Sequence, residues 1–582
     1  MSSKHLLQAG ALYAALTGLA AAATNGNAYL QHNLVSDTAG VADFTDPNLI
    51  NPWGIATSSG SPFWVSDNAT GLSTVYTSTG SVSSTKATVP PSAMGKSPSE
   101  PTGIVYNGTG GFAISGHAPS FIFCTADGAV SGWASAVSPT LATLKIDNSA
   151  SGAIYYGMAI SSGTTGPYIY LANFHSGAIE AYDTNYAPAT LSGKFADPGI
   201  PAGYAPFNIW NLGGKLYVAY ALQDPTKTYD QPGVGNGYVS VFDLNGNLLQ
   251  HLVAGGPLNA PWGMAIASAN FGAFANALLV GNFGDGHINA FNPTSGALLG
   301  TLQDVNGNTI QISGLWALIQ GNGGNGGDAN AIYFAAGIGG EQHGLLGSLQ
   351  AAPVITSTQV VNAADGAGTI APNMWVSIFG ANLSPTTQSW TAAEIVNGAL
   401  PVELNGVSVQ VNGKSAAVAY ISPKQINVLT TSDTATAAEN VNVITGNNSL
   451  VSGVASVPLA LESPACFFFG TGPNVAALHS DNVTPVGPTS LYPNLSYPAK
   501  PGEEIVIFGN GFGPVVPGVT AALPTVTIGG ANAQVVFGGY TGPGLYQVNV
   551  VVPAGTPNGN AAVMIQLGSA STPSGGMIAV QQ

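Results

Sequence analysis

Residues Gly255–Phe291 read GGPLNAPWGMAIASANFGAFANALLVGNFGDGHINAF. An apolar run opened by Pro261-Trp262-Gly263 is followed by a second apolar run, LLVGNF, and a third, HINAF. The NFGDG between the last two is turn chemistry: Asn and Asp bond their own backbone, and Gly accepts positive φ. A fourth, more polar run follows at Leu298–Asp304 (LLGTLQD). Short apolar runs punctuated by Gly, Asn and Asp predict β-strands joined by tight turns.

The unit recurs. PWGIA stands at Pro52–Ala56, PTGIV at Pro101–Val105, YYGMA ends at Ala159, PFNIW stands at Pro206–Trp210 and GLWAL at Gly314–Leu318. With Ile55, Ile104, Met158, Ile209, Met264 and Trp316 as markers, the gaps are 49, 54, 51, 55 and 52 residues. Each motif precedes a second apolar run (FWVSDN, FAISG, YIYLANF, LYVAYA, LLVGNF, IYFAAG) and a third such as STVYTSTG or FIFCTADG. Polar runs such as LSGKFAD supply the fourth strand. Four short strands per repeat is the pattern of a propeller blade, and sandwich units need about 100 residues. The sixth repeat has three strands before Pro353, so Tyr29–Asp37 (YLQHNLVSD) is predicted to close the ring by pairing near Gly344–Leu349. Closure of this kind removes an open sheet edge.

Composition agrees. The 582 residues exceed one domain. Charged residues are 6%, against about 25% in an ordinary soluble protein. With 45% apolar residues, 78 Gly and 39 Pro, charge-driven disorder and coiled coil are excluded. Ten Lys and Arg against 26 Asp and Glu give a net charge of -16, which leaves no basic footprint for nucleic acid or anionic membrane. The two cysteines, Cys124 and Cys466, exclude a disulfide scaffold and form no C-x-x-C. Cys124 reads as a buried thiol in an apolar strand.

Met1–Lys4 carries one Lys, Leu6–Ala23 is apolar and small, and Ala21-Ala22-Ala23 is a small-x-small cleavage site. This predicts a signal peptide over residues 1–23 and export, either secreted or at the cell surface. No later apolar run is long enough to span a membrane.

From Ala351-Ala352-Pro353 the texture changes. VSIFGANLSP (Val376–Pro385) matches IVIFGNGFGP (Ile505–Pro514), and Val409–Val428 matches Val526–Val550. Alternating strands with Gly and Pro turns predict two small β-sandwiches, over 353–463 and 464–582. The expected architecture is therefore all-β: a six-bladed β-propeller over 28–350, then two Ig-like units.

The runs Asn51–Ala56 with Phe63–Asn68, and Gly255–Ala267 with Leu278–Phe291, resemble an uncharacterised family of secreted bacterial β-propeller proteins over Tyr29–Leu349. More distantly, the strand grammar is similar to NHL and gluconolactonase-like six-bladed propellers. The turn after each apolar strand in the second half resembles the IPT/TIG Ig-like fold, and the pair resembles a C-terminal module of bacterial extracellular proteins.

In such a propeller, loops from several blades meet at the channel mouth. The candidate ligand-binding residues there are Asp67, Asn68, Asn173, His175, Asn208, Asp224, Asn282, Asp285, Glu341 and His343, beside Trp53, Trp262 and Trp316. Their oxygens and imidazoles suit a divalent cation such as Ca2+, as the gluconolactonase-like resemblance implies, or a hydroxylated ligand. The same Asn and Asp serve equally as turn caps, and the Trp as core. The loop Gln223–Asn236 is the longest at that end. No G-x-S-x-G, P-loop or H-E-x-x-H occurs, and the Gly-rich Gly321–Ala329 has no helix to receive a phosphate. Two functions fit: an extracellular binding or adhesion protein with a small-molecule, glycan or protein partner, or a metal-dependent lactonase-like hydrolase at the mouth.

Overall fold

The computed structural model describes residues 26–163, 166–431, 439–445, 450–514 and 523–582. The predicted signal peptide lies outside them. Two compact units divide the chain, Asn27–Ala351 and a unit containing Ala352–Gln582. Among the described residues no helix is long and apolar enough to cross a membrane.

Asn27–Ala351 holds six small sheets in chain order, antiparallel but for the short strand Phe44–Thr45, which runs parallel to Tyr29–Ser36. Their first strands are Pro52–Ala56, Pro101–Tyr106, Tyr155–Gly163, Tyr204–Leu212, Pro261–Ile266 and Leu315–Gln320. Each packs on the next, and Leu315–Gln320 returns to Pro52–Ala56. This ring is the arrangement of a β-propeller. The last sheet is closed by the N-terminal strand: Tyr29–Ser36 runs antiparallel to Leu345–Ala351, with Tyr29 opposite Ala351 and Ser36 opposite Leu345.

The recurring glycine has a steric cause. A Cβ on Gly54 would stand 2.6 Å from the Thr102 carbonyl oxygen, and one on Gly103 2.8 Å from Met158 nitrogen. At these two glycines the adjacent first strands approach too closely for a Cβ. Asn208 takes that place in the fourth sheet and uses its side chain instead, donating to the Trp262 carbonyl at 3.0 Å. Beside each such position a bulge interrupts the pairing, at Pro52/Ile55 and Pro261/Gly263 for example. The bulged residues are Trp53, Thr102, Tyr156, Phe207, Trp262 and Trp316. Trp316 therefore aligns with Trp53 and Trp262, and Leu318, not Trp316, is the counterpart of Met264.

Two strand expectations need correction. In the second sheet the second strand is Phe121–Thr125 and the third Ala129–Trp133. FAISG forms a loop instead, with Phe112 and Ser115 at positive φ and Phe112 buried beneath Tyr186. Trp133, opposite Phe121, thus fills the place of Tyr76, opposite Phe63, and Cys124 does not. In the third sheet LSGKFAD forms no strand. Phe195 in that run is at positive φ and packs edge-on against Tyr170 and Phe242.

The unit after Ala352 contains two strand systems with separate cores. In the first, two sheets share Val376, Ile378, Val407, Val409, Ile426 and Val428. In the second, Ile505, Ile507, Val526, Val548, Val550 and Ile565 form the core. The sequence match between Trp375–Phe379 and Glu504–Asn510 is a match in pairing: each pairs antiparallel with a later strand, Gln425–Leu429 and Leu545–Val551 respectively. Fully buried Asn510 joins the two systems, accepting from Trp375 N at 2.9 Å and donating to Asn362 Oδ1 at 2.9 Å and to the Trp375 carbonyl at 2.8 Å.

Candidate functional site

The ring of bulges fills the channel with aromatic rings. Trp53 stacks on Trp316 with centroids 3.5 Å apart, and Phe283 stacks on the same indole at 4.0 Å. Trp262 meets both Trp53 and Trp316 edge-on, and Tyr156 packs on Trp53 and Phe207. Trp53, Trp262 and Trp316 are buried. The Trp316 indole N–H donates to Asn51 Oδ1 at 3.1 Å, and that of Trp262 to the Tyr156 carbonyl at 3.1 Å.

Above this floor, Asn51 is a hub. Its backbone is at φ 47, and its amide donates to Glu341 Oε2 at 2.8 Å and to Asn68 Oδ1 at 3.3 Å. Asn68 donates onward to the Pro101 carbonyl. Across the channel the Tyr156 hydroxyl donates to the Thr228 carbonyl at 2.6 Å. Burial first, and then the charges of Asp230, Glu100 and Glu341, raise the Tyr156 pKa. Carboxylates carried by three further sheets thus act on one phenol. Burial pushes Asp230 up to about 6, with the Glu341 charge adding to it, and its Oδ2 has no hydrogen-bond partner. Glu341 is raised by burial and held down by the Asn51 amide. Among the described residues neither carboxylate forms an ion pair.

The residues expected at the mouth separate into groups. Asn68 and Glu341 meet there through Asn51. His175 lies beside the long loop, its ring at 3.3 Å from the Lys227 carbonyl. Asp224 caps that loop, accepting from Thr226 Oγ1 and from the Thr228 and Tyr229 amides, which lower its pKa to about 2. Asn173 donates to Glu180 and caps the turn at Ser176. Asn282 donates to Asp285 Oδ1 and the Pro257 carbonyl, and Asp285 also accepts from Asn259. His343 bonds Asp37 at 2.8 Å. Asn208 is the strand tie described above. Asp67 is fully buried inside the first sheet's packing. Asp67, Asn173, Asn282 and Glu341 therefore have separate neighbourhoods. No three His, Cys, Asp or Glu side chains among the described residues are grouped to hold a metal ion.

Asn51, Glu100, Tyr156 and Asp230 are functional candidates that sequence reasoning passed over. Asp230 lies in the loop Gln223–Asn236, so loop length was its signal. The others come together only through ring closure. A cleft of about 380 Å³ lies elsewhere, in the C-terminal unit, lined by Asp365, Cys466, Phe468 and Thr471 among others. Burial raises Asp365 and, with the Asp365 charge, pushes Cys466 up to about 12.

No family model matches the chain. It is 35% identical over 327 residues to uncharacterized protein R648 of Acanthamoeba polyphaga mimivirus, covering 54% of this chain and 78% of that protein. Uncharacterized protein L690 of the same virus is 34% identical over 329 residues, with 54% and 84% covered. The chain belongs to the family of these two proteins. Among solved structures, a streptogramin B lyase aligns with TM-score 0.34 and 11% identity over 55% of this chain and 97% of that one. An auxiliary nutrient binding protein from Bacteroides ovatus aligns with TM-score 0.36 and 9% identity over 56% and 76%.

Proposed function

We propose that this chain is an exported ligand-binding protein whose six-bladed propeller binds a small polar molecule at the channel mouth. The two Ig-like units over 353–463 and 464–582 serve as spacers. The observation that carries this reading is the hydrogen-bonded set of Asn51, Asn68 and Glu341 beside the aromatic floor, with Tyr156 tied to the long loop at Thr228 and the unpartnered Asp230 carboxylate in that same loop. Carboxylate and amide oxygens above stacked rings suit hydroxyl groups or an organic cation. The ligand class is a glycan fragment or other small molecule outside the cell.

A hydrolase is the second reading, favoured by one feature. Burial pushes Asp230 up to about 6, with the Glu341 charge adding to it, and a carboxyl that titrates close to neutral pH can serve as the acid or base of hydrolysis. The test is a thermal-shift and turnover screen with neutral sugars, organic amines and lactones, comparing the native protein with the Asp230→Asn/Glu341→Gln double variant. Binding predicts compounds that raise the melting temperature of the native protein alone. Lactone turnover lost in the double variant would install the hydrolase reading. Identical profiles for both proteins would remove the mouth as the site.

A further inference from the structure

Asp67 of the first sheet and Asp46, in the segment leading into that sheet, are both buried without a base. Asp67, at the end of Phe63–Asp67, is fully buried, and neither of its oxygens meets a hydrogen-bond partner. Thr74 on the neighbouring strand interacts with that carboxylate, and its buried Oγ1 is equally unpartnered. Asp46, also buried, bears on Asp67 as a like charge. The Tyr76 hydroxyl, fully buried, donates to Asp46 Oδ2 at 2.9 Å and feels both carboxylates. Asp46 Oδ1 accepts from Asn48 N at 2.9 Å and Asn48 Nδ2 at 2.7 Å. Neither Asp46 nor Asp67 forms an ion pair among the described residues.

Two buried negative charges with no counter-charge are strongly unfavourable. A proton on Asp67 is the other way to neutralise the pair, since burial first and then the like charge of Asp46 raise that carboxyl well above the usual range while Thr74 holds it down. A hard cation satisfies several oxygens at once, and this is an all-oxygen set of two carboxylates, a phenol and a hydroxyl. We propose that Asp46, Asp67, Thr74 and Tyr76 hold one divalent cation of the Ca2+ class. Its effect is structural. The Asp46 amide donates to the Ser36 carbonyl at the end of the closing strand, so the cation fastens the N-terminal strap of the sixth sheet to the first sheet. Asp67 adjoins Asn68 of the mouth along the chain, but its carboxylate is fully buried, and the proposal does not depend on the ligand proposed there.

The experiment uses the purified protein. Metal content is measured by elemental analysis, and melting temperature is followed in EGTA and on titration with Ca2+. The expected result is one Ca2+ per chain and a melting temperature higher by on the order of 5 °C in Ca2+ than in EGTA. Asp67→Asn abolishes the difference, whereas Asp230→Asn/Glu341→Gln retains it. Should Asp67→Asn fail to fold, Thr74→Val, which keeps both carboxylates, is expected to weaken the Ca2+ response. No bound metal with equal melting in EGTA and Ca2+ would overturn the proposal and leave Asp67 a neutral acid. A response lost in the mouth variant but kept in Asp67→Asn would overturn it too.

Discussion

Trp53 of the first sheet and Trp316 of the sixth lie face to face, ring centroids 3.5 Å apart. These are the two sheets that meet where the ring closes, so the stack is a long-range contact made only in the closed state. The Trp316 N–H also reaches Asn51, which holds Glu341 and Asn68. The stack therefore supports both the closed ring and the polar rim above it.

Trp316→Ala is expected to cost about 3–5 kcal/mol, the range for deleting a fully buried large aromatic. It also leaves Asn51 Oδ1 without its donor. Chemical denaturation followed through the propeller unit measures the loss. A cost under about 1 kcal/mol would mean that the stack does not hold the ring.

Closure at the N-terminal strand can be tested by one atom. Buried Tyr29 donates its hydroxyl to the Phe271 carbonyl at 3.1 Å and accepts from Phe274 N at 3.2 Å. Tyr29→Phe keeps the ring but strands both backbone groups. A loss of about 1–3 kcal/mol is expected, read from the urea midpoint at constant slope.

The repeat was legible because Gly54, Gly103, Gly157 and Gly263 answer the same close approach of neighbouring strands, Asn208 and Ala317 taking that place in the other two sheets. The closing strand was legible because the sixth repeat is one strand short. The second sheet was misread because FAISG and FIFCT are both short apolar runs, and only the burial of Phe112 under Tyr186 decides which one pairs. The mouth was half legible. Loop length pointed to Gln223–Asn236, but the raised Asp230 and the hub at Asn51 arise from groups on different sheets, which no spacing along the chain reveals. Asp67 and Asn282 occupy the same place at the end of a second strand. One is buried without a partner and the other is fully hydrogen-bonded, a difference set by tertiary neighbours.

Neither thiol is expected to react in the native protein. Burial pushes Cys124 up to about 11 and Cys466 to about 12, and both are buried and free. Thiolate is the reactive form. Labelling with a disulfide reagent should therefore follow unfolding, releasing two equivalents only in denaturant. Fast labelling of Cys124 under native conditions would contradict its burial between Thr102 and the Tyr155 carbonyl.

A pH signature at the mouth should come from Asp230. Its folded pKa stands at about 6, above the roughly 3.9 of an unfolded aspartate. Between about pH 4 and 6 the folded state then binds more protons than the unfolded state. Stability accordingly falls as pH rises through that window, and Glu341, raised by burial, contributes with the same sign. Asp230→Asn removes the larger part of this slope. The variant should be more stable than the native protein at pH 7 by on the order of 2 kcal/mol, and nearly equal to it at pH 4. Denaturation midpoints at pH 4, 5, 6 and 7 measure both curves. A stabilising substitution at the mouth would mark Asp230 as a carboxyl kept at a cost to the fold, as binding and catalytic groups often are. Parallel curves for the two proteins would show that Asp230 ionises as freely as a surface carboxylate, and the mouth would lose its principal candidate.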